Sequence, residues 1–160
     1  MSKKYLYKIL TPDLLDDKDI YSEKFKRINI ECSPELDPFY NSKHKRWEWI
    51  LLKDWVVEYD GKIYTVPAGF VTDGATIPRF LWPIFGTPTE VPRLYVALIH
   101  DYLYTIGPKE DPKANGETRK LADRLYHDFN IQLGAPKLRT NIEYRFIRWF
   151  GGKHWVVEDE

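Results

Sequence analysis

A single cysteine, Cys32, stands in the 160 residues of this chain, so no internal disulfide framework can hold it, and a reducing compartment suits it. Net charge is lacking as well. The 24 basic and 24 acidic residues cancel, and no overall field draws the chain toward nucleic acid or an anionic membrane. Any such contact must be a local patch. Nowhere is there an apolar run of the roughly 20 residues that a membrane-spanning helix needs. The opening MSKKYLYKILTPDLLDDKD also has no uninterrupted apolar segment of signal-peptide length, so neither secretion nor membrane insertion is expected. Internal repeats and low-complexity tracts are absent, which excludes solenoids and arrays.

Aromatic residues are plentiful, at 16% with six Trp and eleven Tyr, and they supply large buried areas with polar tips. The length suits a single domain spanning residues 1–160, with a core that must hold the fold unaided. Within it, residues 1–46 are predicted to be mostly irregular, charged and turn-rich, apart from a first strand over 4–10. SKHKR at 42–46 is a small basic cluster that reads as a solvated loop. Residues 47–88 carry a hairpin and a loop. WEWILL (47–52) and DWVVEY (54–59) are rich in β-branched and aromatic residues, and Asp60-Gly61 before KIYTV (62–66) is the two-residue signal for a tight hairpin. The stretch VPAGFVTDGATIPRFLWPIFGTP that follows is broken by Pro67, Pro78, Pro83 and Pro88. It is expected to be a loop that packs on the domain through its aromatic and aliphatic residues.

Residues 89–152 predict three helices. The first is capped by Thr89 and runs to about Ile106, where Gly107-Pro108 is expected to stop it; nearly every face is apolar, so it is the central helix. A second spans about Glu117 to Leu133 before Gly134, with Leu121, Ala122, Leu125, Tyr126, Phe129 and Leu133 on one stripe. A third starts near Pro136 and ends at Gly151-Gly152, with Leu138, Ile142, Phe146, Trp149 and Phe150 on one face and Arg145 and Arg148 away from it. An ordinary core-facing stripe explains that face; contact with lipid is the alternative. The fold class that results is α+β: a small antiparallel sheet packed on a C-terminal three-helix bundle.

The chemistry concentrates in ALIHDYLYTIG, residues 97–107, where His100 and Asp101 are the charged pair in an otherwise apolar run. A buried carboxylate must pair, bind a metal or stay protonated. His100 and Asp101 lie about 100° apart around the helix and face different neighbours, while Tyr104 shares the face of His100. On the second helix, Asp123 flanks one edge of the buried stripe and Asp128 the other, and periodicity leaves both open as partner of the histidine. A carboxylate there fixes the imidazole tautomer that a general base needs. The pair can equally be a satisfied structural one. In the preceding loop, Asp73, with Thr72, Thr76 and Arg79 nearby, is either a hard-cation ligand or the shaper of an Asx turn.

GFVTDGATIPRFLW, then ALIHDYLY, then ADRLYHDF resemble, in that order, an uncharacterised domain family found widely in tailed phages and bacteria. The resemblance covers about residues 64–152 and implies a phage-type protein without naming an activity; the lack of a signal peptide or membrane span leaves host cytoplasm or virion as the expected location. More distantly, HDYLY followed by AD on a later helix resembles the active site of phospholipase A2. That resemblance implies His100 as the base that deprotonates water, Asp101 as a Ca2+ ligand, Asp123 as the orienting carboxylate and Tyr104 as its helper. Asp73 would be a further metal ligand. The glycine-rich calcium loop and the disulfides of secreted phospholipases have no counterpart here.

Three functions follow as expectations. One is a calcium-dependent ester hydrolase with phospholipid or the cell envelope as partner. Another is a non-catalytic virion, tail or host-interaction protein, with other phage virion proteins as partners and a structural His-Asp pair. The third is another metal-assisted hydrolase, such as a cell-wall amidase, drawing on His100, Asp101, Asp73 and His127. Nucleic acid is not an expected partner, because the 42–46 cluster and Arg145/Arg148 fall into no recognisable motif.

Overall fold

The computed structural model describes residues 26–74, 83 and 93–157. The strand predicted over 4–10, the Thr89 cap, Thr76, Arg79 and most of the loop over 67–88 lie outside these residues. Among the described residues six short strands come first: β1 (Ile28–Ile30), β2 (Leu36–Asn41), β3 (Arg46–Leu51), β4 (Trp55–Tyr59), β5 (Lys62–Val66) and β6 (Val71–Thr72). Beyond them the described residues form α1 (Arg93–Glu110), α2 (Glu117–Gln132) and α3 (Lys137–Phe150), then a 3-10 turn at Gly151–His154. The fold class is α+β, with the helices at the C-terminal end.

The hairpin forms where its turn residues require it. Asp60 and Gly61 both adopt positive φ, at 52° and 74°, which matches the right-handed twist of flanking strands. β4 and β5 pair with Tyr59 opposite Lys62 and Trp55 opposite Val66. Along β4, Trp55, Val57 and Tyr59 are buried while Val56 and Glu58 are exposed, the period of two that a half-buried strand requires. β1 joins the free edge of β4, giving the order β1-β4-β5.

A second antiparallel sheet has the order β2-β3-β6. Residues 28–30 and 36–41 are therefore strands and not part of an irregular segment, which corrects the sequence reading. Local patterning hides them because β1 pairs with β4 about thirty positions on, and because Pro38 lies within β2. Proline is tolerated there since β2 is an edge strand.

The first sheet packs against the helices through Ile28, Trp55, Val57 and Tyr59, which meet Leu98, Ile99, Leu125 and Phe129 in one core. Trp55 and Phe129 stack with ring centroids 6.4 Å apart. At the end of α2, Gln132 accepts from the Ile28 amide and donates to the Ile28 carbonyl, both at 2.8 Å. The buried side-chain amide thereby acts as one more strand residue for β1.

Two helix expectations need correcting. α1 does not stop at Gly107-Pro108 but continues to Glu110, with Pro108 inside it. The proline falls in the final turns, where it removes one donor, and the Asp111 amide still bonds the Gly107 carbonyl at 2.8 Å. In α3 the buried residues are Thr140, Glu143 and Ile147, while Leu138 is 74% exposed, Trp149 71% and Phe150 53%. The apolar stripe faces outward. Ion pairs set that rotation: Glu143 meets Arg93 of α1, and Arg148 reaches Asp123 of α2.

Candidate functional site

On α1 the core residues Val96, Ala97, Leu98, Ile99 and Leu103 surround His100 on the helix, so its polar ring needs a specific partner. Nε2 of His100 lies 2.9 Å from Oδ1 of Asp123 on α2. The Tyr104 hydroxyl donates to the same oxygen at 2.7 Å, and Nη1 of Arg148 donates to Oδ2 at 2.7 Å. His100, Tyr104 and Asp123 are thus brought together, and of the two open carboxylates it is Asp123 that pairs with the histidine. Asp128 instead accepts from the Tyr59 hydroxyl at 2.5 Å and sits 2.8 Å from Nδ1 of His127.

Asp123 has no exposed surface. Burial alone would raise its pKa, but the hydrogen bonds from His100, Tyr104 and Arg148 prevail and hold it below the ordinary carboxylate value. An ionised carboxylate only accepts, so the proton between the two groups sits on Nε2. In the neutral ring Nδ1 then carries the lone pair. Among the described residues it has no hydrogen-bond partner. The imidazole, 4% exposed, lies between Tyr104 and Tyr126, whose ring centroids are 4.4 and 5.2 Å away.

Arg119 and Arg148 complete this network, and the sequence reading did not find them. Arg119 donates through Nε to the Tyr104 hydroxyl at 3.0 Å, and through Nη2 to the carbonyls of Ile147 and Arg148, both at 2.8 Å. It thereby closes the C-terminal end of α3 onto the site. Its position four residues before Asp123 was a usable signal, since the two share a helix face; nothing local pointed to Arg148.

Asp101 faces the other way, toward the second sheet. Its Oδ2 accepts from the Thr72 hydroxyl of β6 at 2.5 Å. Burial pushes its pKa up to about 6, against the lowering effect of that hydroxyl. Asp73 lies beside Thr72 in the chain and pairs with Arg46 at 2.9 Å. Neither acid joins the His100 network. Calcium takes six to eight oxygens, and the two carboxylates as placed are committed to a hydroxyl and a guanidinium. Among the described residues there is no group of three or more His, Cys, Asp or Glu side chains that could hold a metal. His127, the further ligand of the amidase reading, is instead held between Asp128 and Asn141 at 2.8 and 2.7 Å.

The raised pKa of Asp101 has a sign that can be tested. Between its ordinary value of 3.8 and about 6, the folded chain keeps a proton that the unfolded chain has lost, so stability falls as pH rises through that window. Asp101→Asn is expected to remove this slope and to stabilise the protein at pH 7 by up to about 3 kcal/mol. Urea midpoints of both proteins at pH 4.5 and pH 7 check it; an equal loss across that range in the variant contradicts the assignment.

Of the cavities among the described residues, one of about 450 Å³ lies between β5, α1 and α2, lined by Tyr64, Tyr102, Ile106 and Leu121 among others. His100 does not line it.

A family model described as "Protein of unknown function (DUF1353)" matches residues 49–147, and the chain belongs to that family. The matched span holds Thr72, Asp73, His100, Asp101, Tyr104 and Asp123, and it ends one residue before Arg148. No curated protein and no solved structure is significantly similar to the chain.

Proposed function

We propose that this member of the family is an acyl-ester hydrolase in which His100 is the general base and water the nucleophile. The observation that supports the reading is that Nε2 of the imidazole lies 2.9 Å from the Asp123 carboxylate, which in the neutral ring leaves Nδ1 to accept a proton. A neutral ring in this tautomer is what general-base chemistry requires. No serine or cysteine hydrogen-bonds His100 among the described residues, and Cys32 is exposed, so the base has no side-chain nucleophile to activate.

In the proposed step, which requires the packing around His100 to open because the ring is 4% exposed, Nδ1 takes a proton from water as the oxygen attacks the ester carbonyl. The tetrahedral intermediate then collapses, its C–O bond to the alcohol breaks, and the imidazolium returns the proton to the departing alkoxide. Asp123 keeps the tautomer and stabilises the transient cation. Tyr104 and Arg148 hold Asp123, and Arg119 holds Tyr104; these are positioning residues. No step is routed through a cation. The resemblance of HDYLY and the later AD to phospholipase A2 makes phospholipid the first substrate to try.

The test is hydrolysis of a fluorogenic phospholipid and of a short-chain acyl ester, each with added calcium and with chelator. His100→Gln is expected to lose at least about a hundredfold in kcat/KM while remaining folded. Unchanged hydrolysis in His100→Gln overturns the reading. A fall in thermal stability without any hydrolysis by the parent protein assigns the pair a structural role instead.

A further inference from the structure

The outward face of α3 is the largest departure from what the sequence pattern leads one to expect. Leu138, Ile142, Phe146, Trp149 and Phe150 recur at the spacing of one helical stripe, yet Leu138, Trp149 and Phe150 are 74%, 71% and 53% exposed. At the C-terminal end of the helix they meet one another: the half-buried Phe146 stacks on Phe150 with centroids 5.7 Å apart and meets Trp149 at 6.2 Å, so that end of the face is an aromatic patch. Soluble chains keep such patches small unless something covers them.

The helix cannot turn this face inward. Its opposite side is fixed by Glu143 to Arg93, by Arg148 to Asp123, and by Arg119 to the carbonyls of Ile147 and Arg148. Rotation by half a turn would break buried ion pairs, and each broken pair leaves an uncompensated charge.

Charge chooses the occupant. The exposed charged residues of α3 and the turn after it are Lys137, Arg145 and Lys153, all cationic, while the acid of this helix, Glu143, is 3% exposed and faces the core; Arg145, seven residues after Leu138 and four before Trp149, lies on the apolar face and not away from it, which corrects the sequence reading. A second copy of this face would set cations against cations. An anionic bilayer matches both features: aromatic and aliphatic side chains enter the headgroup boundary while lysine and arginine meet the phosphates. No helix among the described residues is long and apolar enough to cross a membrane, so the contact is one of a helix lying on the surface.

We infer that α3 is a docking surface for anionic lipid bilayers, a property that stands apart from the hydrolase reading because none of these residues belongs to the His100 network. The experiment is co-sedimentation of the full chain with vesicles of pure phosphatidylcholine and of phosphatidylcholine with phosphatidylglycerol. Binding to the anionic vesicles is expected, falling with added salt, and weakened by about tenfold or more in the Trp149→Ser/Phe150→Ser protein. Arg145→Glu/Lys153→Glu is expected to weaken it too. His100→Gln should bind as the parent does, which separates this inference from the catalytic one. The inference is overturned if the parent ignores anionic vesicles or if both double variants bind undiminished. It is equally overturned if the parent is a dimer in solution and Trp149→Ser/Phe150→Ser makes it a monomer, since the face would then be an interface between copies.

Discussion

Asp123→Ala is expected to destabilise the protein by about 3 to 5 kcal/mol. The carboxylate is wholly buried and accepts from His100, Tyr104 and Arg148 at 2.9, 2.7 and 2.7 Å. Alanine removes the acceptor and leaves the nearly buried His100 and the half-buried Tyr104 and Arg148 without it, the last of them a guanidinium. Such a loss is a large share of the total stability of a domain, roughly 5 to 15 kcal/mol. Asp123→Asn keeps one acceptor and the same volume, and its loss should be smaller. The two variants also differ from the parent in acid. Because the pKa of Asp123 is lowered from its ordinary value of 3.8, the parent keeps this stabilisation above that pH and loses it as pH falls through the depressed value. Asp123→Asn lacks that limb. Urea titration at pH 7 and at pH 3 measures both effects, and a loss under about 1 kcal/mol for Asp123→Ala would show that the network is not what joins α1, α2 and α3.

That network also marks how far the sequence could be read. The hairpin at Asp60-Gly61 was legible because its signal is local: two residues that accept positive φ between alternating strands. The His100-Asp101 pair was legible because charge inside an apolar run demands compensation wherever it lies. Periodicity did not choose Asp123 over Asp128, since both flank the buried stripe of α2 and each finds a buried partner, one on α1 and the other on β4; only the resemblance of HDYLY and the later AD pointed to Asp123. The outward stripe of α3 was read the wrong way round. Periodicity predicts that the apolar side goes in, and here Arg93, Arg119 and Asp123, from two other helices, hold the polar side in. No local pattern on α3 carries that information. β1 and β2 escaped for a similar reason, because their edges are completed by strands that come later in the chain.

The second large effect arises at a glycine. A Cβ built on Gly107 would run into the six-membered ring of Trp155, which is 3% exposed and donates from Nε1 to the Asp111 carbonyl at 2.8 Å. Glycine in a helix ordinarily costs about 0.5 to 1 kcal/mol relative to alanine, so its presence here reflects the ring and not the backbone. Gly107→Leu leaves Trp155 nowhere to sit. The expected cost is that of deleting the indole from the core, about 3 to 5 kcal/mol, and Trp155→Ala should cost a similar amount. If expulsion of the ring is the whole mechanism, the double variant Gly107→Leu/Trp155→Ala loses no more than either single one, because the leucine fills space that the indole has vacated. Additive losses would mean that Gly107→Leu acts by some other route, such as distorting α1 next to Pro108. The displacement also reaches the site. Trp155 packs edge-on against Tyr104 with centroids 5.0 Å apart, and Tyr104 is one of the donors that hold Asp123. On the proposed hydrolase reading, turnover by Trp155→Ala should therefore fall in kcat by more than weaker binding alone would cause, whereas a ring that only filled the core would leave the kcat of the folded fraction unchanged.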